Sequence, residues 1–372
     1  MSVIKVNKIE NTNTTAGGVE VDSSGHVQVD GLQMPTVGPL SNRNIVINGA
    51  MNVAQRGTSQ TSVSNGSNEG YQTLDRFGFK FGNNAGGVCT ISQSTDVPSG
   101  EGFSNSYKVN VTTADTSLAD SQMIYTHQGL EAQDVRNCGW NYTSTSSYIT
   151  ISFWVKSSKA GNYCITARAL DVGHFYYNHT YTLAANTWTK VTHSIPGHAS
   201  LVFNNDSGLG LDLRWQLAMA ANRNDATTDT WQSGTENTST DIVNFFDSTN
   251  NEFYLTGVQL EVGEKATPFE HRSYGDELAR CQRYYWRGNL GAGPIYLGNG
   301  ANIPVGNGFL LPVTMRATPA GTSISNVTAQ NSNSYSDPVR NESPDGGYFY
   351  ANMSVTAGTV ERTDLCQCDA EL

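Results

Sequence analysis

Alternation of apolar and polar positions dominates the middle of the chain. Ile149, Ile151, Phe153 and Val155 alternate with Tyr148, Thr150, Ser152, Trp154 and Lys156. Leu209, Leu211, Leu213, Trp215 and Leu217 alternate with Gly210, Asp212, Arg214 and Gln216. Successive side chains of a strand point to opposite faces, so each run buries one face and offers the other to polar surroundings. Many such runs in series, from about 42 to 261, predict two sheets packed face to face as a sandwich. No fixed-period repeat is present, which argues against a propeller or a β-helix.

The two ends read differently. VEV at 19–21 and VQV at 27–29 flank DSSG at 22–25, an alternating hairpin with Val19, Val21, Val27 and Val29 on one face. A lone hairpin is only marginally stable in water, so this arm is expected to pack against identical arms or another protein. Pro35 and Pro39 suit a linker, because proline disfavours helix and lacks a ladder donor. After Pro268 one helix is expected, with Ser273 as its cap and Asp276 completing a capping-box-like pair. Along it Tyr274, Leu278, Cys281 and Tyr285 form a narrow apolar stripe that either lies on the sandwich or faces its copies around an axis. Short β segments then return at 295–297, 308–313, 322–324 and 347–355. The expected division is an arm and linker at 1–40, the sandwich at 41–272, the helix at 273–287 and a small C-terminal β domain at 288–372.

Composition narrows the function. A chain of 372 residues can bury a sizeable core. Lys and Arg number 22 against 33 Asp and Glu, for a net charge of −11, and no basic cluster occurs. Nucleic acid, which requires a positive stripe, is not an expected partner. No apolar run approaches the ~18–20 residues of a membrane span, so no membrane insertion is expected. The opening MSVIK lacks the apolar core of a signal peptide, and the expectation is a chain made and kept in a cytosol-like compartment. There, Cys89, Cys138, Cys164, Cys281, Cys366 and Cys368 read as small buried hydrophobes. Cys366 and Cys368 form half of a metal site without a second half nearby, so neither metal nor cofactor is expected.

Four segments carry a resemblance. NRNIVINGAMNVAQRG at 42–57 and FYLTGVQLEVGEKATPFEHRSYGDELARCQRYY at 253–285 resemble segments of tail-fibre and receptor-binding structural proteins of tailed, especially marine, bacteriophages. PVTMRATP at 312–319 resembles the stretch after the helix in that family, and KVNKIENT at 5–12 resembles its virion-attachment end. The resemblance implies a homotrimeric tail fibre or spike, anchored to other virion proteins by its arm, assembled in the host cytoplasm and adsorbing to a host surface glycan. It implies that the helical stripe faces a threefold axis. It also implies a jelly roll like that of carbohydrate-binding modules, opened by the strand at 44–49 and closed by the strand at 254–261. In such modules acidic residues near the two ends help hold calcium; here those places read Asn52 and Thr256.

The residues themselves point to binding rather than catalysis. GxSxG, HExxH, P-loop and GxGxxG signatures are absent. His174 and His179, like His193 and His198, are five apart on strands, which sends the members of each pair to opposite faces. They read as ordinary histidines. Glycan hydrolysis would need two carboxylates roughly 5–10 Å apart, and the candidates are Asp225, Asp229, Glu261, Glu264 and Glu270. Sugar rings stack on aromatic planes, so the expected glycan site comprises Trp140, Tyr142, Tyr176, Tyr177 and Trp231, on Asn- and Thr-rich loops or one sheet face. The leading expectation is a non-enzymatic glycan-binding fibre. A capsid-fibre or tail-hub decoration without a receptor, and a glycan depolymerase, are the alternatives.

Overall fold

The computed structural model describes residues 8–10, 18–21, 27–29, 32–33, 42–223, 227–234, 242–289, 295–297, 300–319, 323–329, 332–335, 339–355 and 358–372. The protein is mainly β. Strands β1 (Lys8–Glu10), β2 (Gly18–Val21), β3 (Val27–Val29) and β4 (Leu32–Gln33) form an antiparallel meander at the N-terminus. The arm is therefore a four-stranded sheet and more than the expected hairpin. Val19 pairs with Val29 and Val21 with Val27, as the alternation requires. The side chains of Val19, Val21 and Val27 are exposed; that of Val29 lies outside the described residues.

The sandwich comprises β5 (Ser59–Val63), β6 (Gly78–Gly82), β7 (Val88–Ser94), β8 (Ser106–Thr113), β9 (Met123–Glu131), β10 (Tyr148–Ser157), β11 (Gly161–Ala169), β12 (Phe175–Leu183), β13 (Thr189–Pro196), β14 (Leu209–Met219), β15 (Trp231–Ser233) and β16 (Glu252–Val262). The front sheet runs β13-β10-β16-β8-β7-β5 and the back sheet β15-β12-β11-β14-β9-β6, all pairs antiparallel. Chain neighbours fall on opposite sheets repeatedly, the crossing pattern of a jelly roll. Ile149, Ile151, Phe153 and Val155 face Leu211, Leu213, Trp215 and Leu217 across one continuous core. The inward face read from the sequence is realised in both strands, but the polar face of β14 is covered as well, with Asp212, Arg214 and Gln216 buried.

The segment at 44–49 is not the expected opening strand. Its backbone bends, with Asn48 at φ 60° and Met51 at φ 58°. Asn44 and Asn48 take over the ladder's hydrogen bonds with their own side chains, a competition typical of asparagine. The Asn44 amide accepts from Val46 N and Leu260 N and donates to Val258 O, while that of Asn48 accepts from Val53 N and donates to Val53 O and Asp75 O. Gly49 lies so close to β16 that a Cβ there would sit 2.0 Å from Val258 O, so only glycine fits.

Helix α1 (Ala132–Asn137) follows β9, an element too short to show in the sequence pattern. Helix α2 (Tyr274–Gln282) starts where expected: Ser273 Oγ accepts from Asp276 N at 3.2 Å. Its apolar stripe packs on its own chain. Cys281 is fully buried, and with half-buried Leu278 it joins Ile47, Val53, Tyr284 and Leu372. Tyr285 is buried too, at the start of strand β17 (Tyr285–Asn289) rather than on the helix; only Tyr274 of the stripe is exposed. The assignment of Leu278, Cys281 and Tyr285 to contacts between copies is thus corrected, because the sandwich already covers them.

Strands β18 (Ile295–Leu297), β19 (Gly300–Leu310), β20 (Ser323–Ala329), β21 (Ser332–Tyr335), β22 (Val339–Ser343), β23 (Gly346–Val355) and β24 (Gly358–Asp369) complete the chain. β24 pairs with β17, β18 and β20, and β23 with β19, β21 and β22. The last residues return to the sandwich. Arg76, fully buried at φ 71°, pairs with Glu371, donates to Gly129 O and stacks 3.4 Å over Tyr284. Arg56 bonds Asp369 at 2.9 Å and Glu371 at 3.3 Å, with its guanidinium 3.6 Å over Tyr285. Burial pushes the Asp75 carboxyl up to about 6 even though Gln55 and Arg56 oppose it. Glu131, also buried, accepts two bonds from Arg283 and one from Tyr284.

Glu371→Gln should lower stability by about 3 kcal/mol or more, because it strands a buried guanidinium. Urea denaturation of the full chain measures it, and an unchanged midpoint would show that Arg76 does not need this partner. A second outcome concerns Asp212, beside Arg214 at 2.6 Å and His127 at 3.1 Å. Burial alone would raise its carboxyl, but Arg214 and His127 bring it down to about 2. An unfolded Asp titrates near ~3.9, so the stability this group supplies is complete above that value and is lost as pH falls toward 2. Asp212→Asn should flatten that part of the stability–pH curve.

Candidate functional site

The aromatics chosen from the sequence do not form one exposed platform. Trp140 is buried against Phe203 and Tyr142, with Nε1 donating to Ser147 O at 3.2 Å. Tyr142 is half-buried, its ring edge-on to Phe203. Trp231 lies buried at the lateral edge of the sandwich, stacked on Phe175 at 5.6 Å and meeting Tyr177 at 5.5 Å, with Nε1 on Pro196 O. Tyr177 points inward beside it, and Tyr176 is buried against His174 and Arg168. Four of the five rings are thus sealed within the chain, and no shared surface joins them. A Trp on an Asn-rich loop buries its large apolar area whenever a neighbouring loop can cover it.

The depolymerase candidates disperse as well. Glu261 is buried and accepts from Gln259, Thr267 N and Thr267 Oγ1. Glu270 accepts the backbone N–H groups of Arg43 and Asn44. Glu264 is exposed, and Asp225 lies outside the described residues. At the places compared with the calcium ligands, Asn52 Oδ1 accepts from Asn105 Nδ2 and Thr256 Oγ1 donates to Asn105 O, so one asparagine bridges the two.

A different aromatic constellation occupies the outer face of the front sheet. Residues Phe103, Ser152, Trp154, Lys190, Gly257, Thr267, Phe269 and His271 line a groove of about 520 Å³, with Glu101 at its rim. The local cause is a bulge. Ser152 pairs with Gln259 and Trp154 with Thr256, so Gly257 and Val258 together oppose Phe153. Gly257 takes φ 62°, which glycine accepts at little cost. A Cβ there would meet Phe103 Cζ at 2.6 Å and Trp154 Cδ1 at 3.2 Å, so the missing side chain lets both rings close over this spot. Phe103, Phe269 and His271 form a triangle with centroid separations of 5.0, 5.4 and 4.9 Å. Phe103, Trp154 and Phe269 are half-buried, while Lys190 and Glu101 are exposed.

One row farther along, the face is closed. Lys156 lies over Tyr254 at 4.4 Å and Trp188 at 5.3 Å, while its ammonium pairs with Asp96, which also accepts from Trp188 Nε1. The groove therefore ends against a cation held between rings. Trp154 was visible in the sequence as the one Trp among the polar positions of its strand. Phe103 and Phe269 carried no such signal, because loop packing alone brings them there.

The histidines also regroup. His179 on β12 meets His193 on β13, with ring centroids 3.6 Å apart, and both approach Asp229. The sequence pairs 174/179 and 193/198 are not the relevant ones; the pair forms across strands of opposite sheets. His179 Nδ1 donates to Asp229 Oδ1 at 2.7 Å, and His193 Nε2 lies 3.3 Å from the same oxygen and 3.0 Å from the Tyr177 hydroxyl. Burial, and then the neighbouring His179, lower the His193 imidazole to about 4, against the pull of Asp229.

No protein-family profile and no curated protein sequence matches the chain. Solved structures do. One described as "CBM4 structure and function" aligns with 58% of this chain and 98% of its own, at 14% identity and a TM-score of 0.29. A putative sugar binding protein from Bacteroides thetaiotaomicron aligns over 60% and 100% at 12% identity and TM-score 0.32. A cyclase from Fischerella sp. TAU aligns over 63% and 100% at 8% identity and TM-score 0.31. With TM-scores of 0.29 to 0.32 the likeness carries no activity over to this chain.

Trp140→Ala and Trp231→Ala should each cost about 3–5 kcal/mol of stability, as expected for a buried Trp. Guanidinium denaturation reads this directly. Parent-like midpoints would mean that these rings are not core.

Proposed function

We propose that this protein binds glycan in the groove floored by Trp154, without acting on it. The observation that carries this reading is the set of half-buried rings, Phe103, Trp154 and Phe269, in a trough on the outer face of a sheet whose other face makes the core. Leaving apolar rings in contact with water is unfavourable unless a partner covers them. A pyranose does so well, presenting apolar C–H groups to the rings and hydroxyls to Ser152, Thr267, His271, Lys190 and Glu101. A shallow site of this size reaches about millimolar affinity, near 4 kcal/mol.

The setting we propose is the fibre or spike of a tailed phage, as a homotrimer attached to the particle through its arm. It rests on the resemblance of the segments at 42–57, 253–285 and 312–319. The exposed valines of the arm suit a sheet that is completed only on docking. The packing of α2 on its own sandwich argues against Leu278 and Cys281 as contacts between copies, and the exposed valines support the arm in that role. Three linked copies would raise apparent affinity by roughly 10²–10⁴-fold.

Affinity electrophoresis against a panel of bacterial surface polysaccharides tests the groove. Trp154→Ala should weaken retention at least tenfold while leaving the unfolding midpoint close to that of the parent, and Trp188→Ala, outside the groove, should bind normally. Parent-like binding by Trp154→Ala would sink the assignment.

A further inference from the structure

We infer that His179, His193 and Asp229 form a site for one divalent transition-metal ion, of which zinc is the type, clipping the two sheets together at their lateral edge. The site is independent of the glycan groove. Its ligand atoms lie within 4.8 Å of one another. His179 projects from β12 of the back sheet, His193 from β13 of the front sheet, and Asp229 from the turn before β15. Three pieces of chain thus meet at one point. Asp229 N donates to Asn178 O, and Trp231, two residues on, is buried in the core, so the turn is fixed at both sides of the carboxylate.

The donor set selects the ion. Two imidazole nitrogens and one carboxylate oxygen suit zinc and its neighbours, whereas calcium and magnesium prefer oxygen throughout. The Tyr177 hydroxyl, 3.0 Å from His193 Nε2, stands where it can bond a water in the fourth position. The two rings are stacked 14° from parallel. An ion must lie in the plane of each ring, so loading fans the rings apart and draws Asp229 Oδ1 away from its hydrogen bond. All three side chains reach solvent, which leaves room for that movement.

Calorimetric titration of the full chain with zinc chloride tests the site, with calcium chloride as control. Zinc should bind at one equivalent and raise the melting temperature, and calcium should do neither. Cobalt(II) should give the visible absorption of a low-coordinate nitrogen and oxygen site without a thiolate charge-transfer band. Asp229→Asn and His179→Ala should each weaken zinc binding at least tenfold. If His179→Ala melts early without metal, Asp229→Asn, on an exposed turn, carries the comparison. No zinc binding, or zinc binding unchanged in both variants and accompanied by a thiolate band from the cysteines, overturns the inference.

Discussion

The buried pairing of Arg76 with Glu371 is the constraint on which the arrangement of the parts depends. A guanidinium with no exposure has to be paired, and the partner comes from the penultimate residue of the chain. To satisfy it, β24 must run back to the sandwich, which draws β17 and the end of α2 with it. Tyr284 and Tyr285 cover the two guanidiniums of Arg76 and Arg56, and Glu131 then neutralises Arg283 next to them. Sandwich, helix and C-terminal strand are joined by charge and stacked rings as well as by the apolar cluster around Cys281.

That junction explains why the helical stripe is not available to other copies. Cys281 and Leu278 fill the space between Ile47 and Val53 that the irregular segment after Asn42 leaves open. The segment itself is irregular because two asparagine side chains replace ladder partners. One stretch of unusual sequence thus has three consequences: a missing strand, a seat for the helix and a closed helix face.

The outer surfaces of the sandwich show how function separates from core packing. The inner faces of β10 and β16 obey strict alternation until the bulge at Gly257, and the groove sits at that interruption. The bulge brings the bare backbone of Gly257 beneath Phe103 and Trp154, while the regular alternation of β10 keeps Phe153 in the core. At the lateral edge, His179 and His193 sit on inward positions that the apolar core does not reach, and polar side chains occupy the gap.

What could be read from the amino-acid order was whatever depends on neighbours along the chain. Period-two alternation specifies strands and their buried faces, and a serine three before an aspartate specifies where a helix begins. These held for the inward faces of β10 and β14 and for the start of α2, because each rests on local geometry. The valine pairs of the arm were legible for the same reason. What only the tertiary structure decided was which loops cover one another. Trp140 and Trp231 stand in polar loops and yet are core, since Phe203 and Phe175 arrive from elsewhere to bury them. Phe103 and Phe269 lie far apart in sequence and meet over a glycine on a third segment. His179 and His193 become partners through the crossing of the chain between two sheets. No spacing along the chain encodes such encounters, because the closure of many loops at once determines them.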